Sequence, residues 1–93
     1  MMNNFSGFNG APNLLVSTAN QEIIEDGLIY HKFAFINAEE CHIRINNSPP
    51  ILLLAGQGFA TDQFDTPVKS FIVVTPNVRF SWVGSFKYAK LYK

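Results

Sequence analysis

The chain has 93 residues, of which 47% are hydrophobic and only 15% are charged, and seven Lys and Arg balance seven Asp and Glu. This length suits one domain, since two halves would each be too small to bury a stable core. Zero net charge argues against a nucleic-acid-binding protein, which needs a basic stripe to neutralise phosphates. Low charge favours association between copies, although a monomer that is merely poor in charge fits the same composition.

Residues 1–12 are predicted to form an arm. They hold three Asn, two Gly and two Phe, without a periodicity that would place them in a helix or a strand. Such a segment, when free, buries too little surface to offset its ordering entropy. Because Phe5 and Phe8 offer apolar groups for docking, we expect either an arm that lies on a neighbouring subunit or a frayed tail.

Residues 13–93 are predicted to form a single β-domain. Gly, Pro and Asn separate short apolar stretches at spacings of about 8 to 12 residues, which is typical of sandwiches and small barrels. We therefore expect an all-β fold, either an antiparallel β-sandwich or a small jelly-roll-like barrel, with a flexible N-terminal arm. The predicted strands cover residues 13–18, 22–25, 28–36, 41–46, 51–55, 59–61, 68–74, 78–83 and 86–92.

The third and fourth of these strands are predicted to pair as a hairpin. One register places Phe33 and Phe35 on the same apolar face as Ile43. Cys41 shares that face and is expected to pack as a small core residue. As the single cysteine, it excludes an internal disulfide and a cysteine-based zinc site.

Three further features concern the second half of the chain. The continuously apolar stretch 51–55 indicates a strand that is buried on both faces. The turn 75–77, in which Pro precedes Asn, predicts a hairpin between 68–74 and 78–83. Residues 86–92 are predicted to form an edge strand, whose lysines discourage uncontrolled pairing.

Neither a membrane segment nor a targeting segment is predicted. The longest apolar run is far shorter than the roughly 20 residues that a membrane helix needs. Residues 1–13 contain no charged and apolar leader. We therefore expect a soluble protein that is made in the cytoplasm and has no membrane partner.

The sequence also contains no pattern that predicts catalysis or a metal site. His31 and His42 point to opposite faces of the predicted hairpin, so they cannot share a metal. The acidic residues of 39–40 and 62–65 lie in turns, whereas a glycosidase holds two carboxyls about 5 to 9.5 Å apart across a cleft. The stretch 56–58 lacks the third glycine, the helix and the lysine of a phosphate-binding loop. We expect no enzymatic activity, no metal and no cofactor.

Packing and turn residues recur in five runs through the middle and the end of the chain. The runs are Phe33-x-Phe35-Ile36-Asn37, Cys41-x-Ile43-x-Ile45-Asn46, Pro50-Ile51-x-Leu53-x-Ala55-Gly56-x-Gly58-Phe59, Pro67-Val68-x-Ser70-Phe71-x-Val73 and Phe80-x-Trp82-Val83-Gly84. This pattern resembles small β-domain structural proteins of tailed-bacteriophage virions, which decorate capsids or form parts of the neck, tail or fibres. The resemblance implies a protein that is made in the host cytoplasm and resides in the virion. It supplies no catalytic residue.

Two functions are therefore expected as alternatives. The first is a virion structural protein that forms homo-oligomers and docks onto other virion proteins. Its expected interface residues are aromatic: Phe5, Phe8, Phe86, Tyr88 and Tyr92. The alternative is a small carbohydrate-binding module, in which exposed rings stack on a sugar. Its candidate residues are Tyr30, Trp82 and Tyr88, although alternation with Val78 and Phe80 favours a core position for Trp82.

Overall fold

Two antiparallel β-sheets pack face to face in this protein. The computed structural model describes residues 5–62 and 64–88. Within these ranges the chain forms nine strands and no helix. In chain order the strands are β1 (Phe5–Gly10), β2 (Leu15–Val16), β3 (Gln21–Glu22), β4 (Tyr30–Asn37), β5 (Cys41–Ile45), β6 (Ile51–Leu53), β7 (Phe59–Thr61), β8 (Phe71–Val73) and β9 (Arg79–Tyr88). The all-β prediction is confirmed, and the architecture is that of a small sandwich because the sheets do not close into a barrel.

The strands divide into one sheet of five and one of four. Sheet A has the order β1-β9-β4-β7, and β2 pairs with β9 beside β1. Sheet B has the order β3-β8-β5-β6. The longest strand, β9, lies inside sheet A and forms ladders with β1, β2 and β4.

The core lies between the inner faces of the two sheets. Alternation along β4 turns Phe33 and Phe35 inward, as predicted, and Ile43 and Cys41 meet them from β5. Phe71 of sheet B lies at the centre, with its ring centroid 4.9 Å from that of Phe33 and 4.7 Å from that of Phe35. The buried hydrophobic residues are Ile24, Tyr30, Phe33, Phe35, Cys41, Ile43, Leu53, Val68, Phe71, Val73, Val78 and Phe80.

The predicted hairpin between β4 and β5 is wrong. Strand β4 belongs to sheet A and β5 to sheet B, so residues 38–40 carry the chain from one sheet to the other. Strands of facing sheets bury the same inward side chains that a hairpin with one apolar face would bury. Alternation therefore predicted the buried face of both strands and left their pairing open.

The predicted hairpin across residues 75–77 is also wrong, because β8 lies in sheet B and β9 in sheet A. Hydrogen bonds to residues outside β8 and β9 hold the 75–77 turn in place. Asn77 N donates to Ser17 O at 2.8 Å, and Val78 N donates to Ser17 Oγ at 2.9 Å. His42 N donates to Thr75 Oγ1 at 3.0 Å. These bonds tie the turn to both sheets in place of a ladder between its own flanking strands.

The strand predicted to be buried on both faces lies at the edge of sheet B. Among the described strands, β6 pairs only with β5. Leu53 is buried, whereas Ile51 and Leu52 are exposed. A two-layer sandwich covers one face of each strand, so a continuously apolar strand leaves part of its side chains in water.

The N-terminal segment differs from the predicted arm. Residues 5–10 form β1, which pairs with β9 from Phe5 opposite Tyr88 to Gly10 opposite Val83. The pairing depends on backbone hydrogen bonds, which every residue except proline can donate, so this Asn- and Gly-containing segment can pair without a periodic signal in its sequence. As a consequence β9 lies between β1 and β4 as far as Phe86, where the predicted edge strand is wrong. In the described ladders, Lys87 and Tyr88 pair with β1 only.

One buried hydroxyl in the described part of the chain has no hydrogen-bond partner. It is Oγ1 of Thr61, which lies opposite Phe33 in the β4–β7 ladder. Because an unpaired buried hydroxyl costs about 1 to 3 kcal/mol, we expect Thr61→Val to raise the free energy of unfolding by about 1 kcal/mol. Urea denaturation measures this change. Thr61→Ser, which keeps the hydroxyl and loses the methyl group, is the control and should destabilise the protein; a loss of stability in Thr61→Val would contradict the prediction.

Candidate interaction surface on sheet A

The side of sheet A that faces away from the core carries the largest exposed apolar groups that share one sheet face. Side chains alternate between the two faces of a strand, so the register of the ladders assigns residues to this side. We call this surface the outer face of sheet A. The register places on it Ser6, Phe8, Gly10, Val16, Lys32, Ala34, Ile36, Ala60, Arg79, Ser81, Val83, Ser85 and Lys87.

Four large apolar side chains are exposed on this face, since the register of β2 places Val16 beside Arg79. Phe8 is 77% exposed, Val16 is 59% exposed, Ile36 is 55% exposed and Val83 is 48% exposed. Single exposed apolar residues are ordinary on protein surfaces, but several on one sheet face form a patch of the kind that marks contact sites. The outer face of sheet A is therefore the candidate functional site.

Three small residues and Val83 form a row across the strands at the middle of this face. The register aligns Gly10 of β1 with Val83 of β9, then with Ala34 of β4 and Ala60 of β7. A depression of about 640 Å³ lies over this row. Its floor at Gly10 admits no side chain, since a Cβ there would lie 2.7 Å from the Trp82 carbonyl oxygen.

The face carries little uncompensated charge. Among the side chains of this face that the structure describes, the ionisable ones are Lys32 and Arg79, and the guanidinium of Arg79 forms an ion pair with Glu39. The register also places Lys87 at a position on this face. Arg79 Nε donates to Glu39 Oε2 at 2.7 Å, and the Arg79 backbone N donates to Glu39 Oε1 at 2.8 Å. The hydrogen bonds from the Arg79 side chain and backbone hold the pKa of the Glu39 carboxyl below its ordinary value of 4.5.

The pairing of Glu39 with Arg79 predicts a small pH dependence of stability. Because the pKa of Glu39 is lower in the folded state, its stabilising effect is complete above pH 4.5 and is lost as the pH falls through the folded-state pKa. We expect Glu39→Gln to lower the melting temperature slightly at neutral pH and to match the wild type more closely in acid. Melting curves from neutral to acidic pH test this. A Glu39→Gln deficit that grows toward acid would contradict it.

The structure separates the aromatic residues that were expected at an interface. Phe8 is on the outer face of sheet A. Phe86 is half-buried against the core, and its ring meets the Tyr30 ring edge-on, with centroids 6.2 Å apart. Phe5 and Tyr88 lie opposite each other in the β1–β9 ladder. Tyr92, the fifth residue that was expected at the interface, lies outside the described residues.

The residues of the carbohydrate-binding alternative do not form an exposed platform where the structure describes their side chains. Tyr30 is only 1% exposed, and its hydroxyl accepts a hydrogen bond from Asn9 Nδ2 at 3.0 Å. The partly buried Trp82 ring stacks on Phe33, with centroids 5.8 Å apart. Tyr88 is placed by its backbone pairing alone. Trp82 thus packs as core, in agreement with its alternation with the buried Phe80.

Other chemistry is sparse in the described ranges. No three His, Cys, Asp or Glu side chains there lie together as metal ligands would. Cys41 is buried, and desolvation raises the pKa of its thiol. No helix that is long and apolar enough to cross a membrane occurs in those ranges. Comparisons with known proteins add no relative, since no family model, no curated protein and no solved structure matches the chain.

Sequence reasoning missed most of the candidate surface. Alternation with Phe33 and Phe35 could have marked Ile36 as an exposed apolar residue. The row of small residues had no comparable signal. Gly10, Ala34 and Ala60 belong to three separate strands, and only the strand order brings them together.

Proposed function

We propose that this protein is a structural protein that works by contact with other protein chains, and that the outer face of sheet A is its contact surface. The observation that carries the proposal is the joint exposure of Phe8, Ile36 and Val83 on one sheet face. Covering apolar surface is favourable by roughly 25 cal/mol per Å². Covering a face of this kind with another protein surface therefore lowers the free energy of the system.

The balance of charges supports association. The chain has a formal net charge of zero at pH 7 and only 15% charged residues, so copies of it repel one another weakly. On the outer face of sheet A, the ion pair with Glu39 compensates Arg79. A partner consequently does not need to supply a strongly charged surface.

The setting that we propose is a bacteriophage virion, in which the protein docks onto a capsid, neck, tail or fibre. The support for this setting is the resemblance in packing and turn residues described above. In this role the working parts of the protein are its surfaces, and no metal, cofactor or reactive side chain takes part.

Sedimentation velocity of the full-length chain from low to high micromolar concentration tests the function. We expect the mean sedimentation coefficient to rise with concentration, or with the addition of a structural protein encoded beside it. The proposed contact function would be contradicted if the chain stays monomeric at high micromolar concentration and does not bind such partners.

The virion setting has its own test. Mass spectrometry of purified particles from the genome that encodes this chain should find the protein at a constant ratio to the major shell protein. Infectious particles that lack the chain would contradict the virion setting. The contact function would still be decided by the sedimentation experiment.

A further inference from the structure

A projecting ring and a hollow lie side by side on the outer face of sheet A. The Phe8 ring projects beside Ser85, its partner in the β1–β9 ladder. A hollow of about 200 Å³ borders Phe8, and the depression of about 640 Å³ lies next to it, with Ala34 and Val83 in the lining of both. A two-fold symmetric contact requires each copy to supply both a projection and a receptor. This face carries the two together.

The extent of the face suits a weak pair of copies. Strands β1, β4, β7 and β9 have six, eight, three and ten residues. At about 3.3 Å per residue and about 4.8 Å between strands, they present roughly 430 Å² before side chains add to it. A stable interface buries about 800 Å² per partner, so a contact that uses most of the face corresponds to self-association at the weak end of specific interfaces.

The charge of the face selects among possible partners. A strongly acidic partner would need a cluster of free cations, whereas the register places only Lys32 and Lys87 on the described part of the face beside the compensated Arg79. A strongly basic partner would need free carboxylates, and the carboxylate beside the face belongs to Glu39, which Arg79 already engages. A second copy carries the same few charges over the same area and meets neither obstacle.

From these observations we infer that the outer face of sheet A pairs with the same face of a second copy, with Phe8 of each copy packed on the neighbouring small residues Ala34 and Ala60 of the other. The inference rests on the proposed function and names its partner. Val83 lies at the middle of the row, so a two-fold axis through the patch brings Val83 close to its own counterpart.

The first test compares Phe8→Ala with Leu52→Ala in sedimentation equilibrium. Leu52 is the control because it is exposed on the opposite sheet. We expect Phe8→Ala to raise the dissociation constant of the pair at least about tenfold, as the loss of a central aromatic contact does. Leu52→Ala should leave the constant unchanged.

The outcomes separate the inference from the proposed function. An unchanged dissociation constant in Phe8→Ala, in a chain that still self-associates, would overturn the inference and leave contact as the function. A wild-type chain that stays monomeric but binds a structural partner would do the same. A wild-type chain that neither self-associates nor binds such a partner would overturn both.

The second test places a thiol at the proposed centre. Sheets that pack face to face lie about 10 Å apart and both thiols would project into that gap, so a bismaleimide that spans less than this distance should cross-link Val83→Cys into dimers. Cys41 is buried and its thiol pKa is raised, so the wild type should give little background. Leu52→Cys is the control on sheet B. Equal dimer yields from the two variants would contradict pairing through sheet A, and a yield confined to Val83→Cys would support it.

Discussion

Replacement of Asn37 by alanine is expected to lower the free energy of unfolding by at least about 3 kcal/mol. Asn37 is 0% exposed, and its side chain serves three backbone groups. Its Nδ2 donates to Glu39 O at 2.8 Å and to Leu54 O at 2.9 Å, and its Oδ1 accepts from Gly58 N at 2.9 Å. Alanine would leave these groups without partners, and each orphaned group costs about 1 to 3 kcal/mol where water cannot reach it.

The position of Asn37 explains why the loss should be large. It ends β4, and its bonds fasten both the turn into sheet B and the 54–58 loop that returns from sheet B. Urea denaturation of the variant measures the effect.

Asn46 offers a matched control, because its side chain also makes three hydrogen bonds to backbone groups but is only half-buried. Asn46→Gly suits its φ of 48°, which lies in the left-handed region that favours glycine. We expect a smaller loss there, since water can replace the missing partners. A loss in Asn37→Ala no larger than that in Asn46→Gly would show that burial is not the cause.

The second large effect is expected at Gly84, where alanine should destabilise the protein by about 3 kcal/mol. Gly84 is buried in β9, beneath the Tyr30 ring. A Cβ at this position would lie 2.4 Å from Tyr30 Cδ1 and 2.8 Å from both Cγ and Cε1. Such distances are far inside van der Waals contact, so either the ring or the strand must move.

The Tyr30 ring has little room to yield. It meets Trp82 and Phe86 edge-on at centroid distances of 5.7 and 6.2 Å, and Asn9 holds its hydroxyl. Thermal unfolding measures the loss, and Ser85→Ala, one residue further along and half-exposed, should change the melting temperature little.

A double variant tests the cause. Tyr30→Leu removes the ring that the new Cβ would strike, so Gly84→Ala should cost less in that background, as expected for residues in contact. Equal costs in the two backgrounds would mean that the Tyr30 contact is not responsible.

Alternation predicted the buried face of the strands from sequence and left their order open. Phe33, Phe35 and Ile43 were predicted to share an apolar face, and they do line the core. Their strands lie in different sheets, because the same inward side chains satisfy a hairpin or two facing layers. The pairing of β1 with β9 was missed for another reason. Strands pair through backbone hydrogen bonds, and the Asn and Gly residues of β1 give no alternating apolar pattern.

The structural roles of the most informative single residues were harder to predict from the sequence. Asn37 stands at a predicted turn, where asparagine is usually exposed, and its burial follows from the chain crossing between sheets. Gly84 followed a predicted strand, and its role depends on its contact with the Tyr30 ring, which the sequence does not reveal. Phe8 was predicted at an interface on the basis of its apolar side chain. The row of residues beside it could not be predicted without the order of the strands in the sheet.

The most direct measurement of the central claim is a series of amide NMR spectra of the full chain at increasing concentration. Contact through the outer face of sheet A predicts shifts that grow with concentration at Phe8, Ala34 and Val83, with little change at Leu52 on sheet B. Shifts that gather on sheet B, or spectra that stay constant to the highest concentration with and without a structural partner, would contradict it.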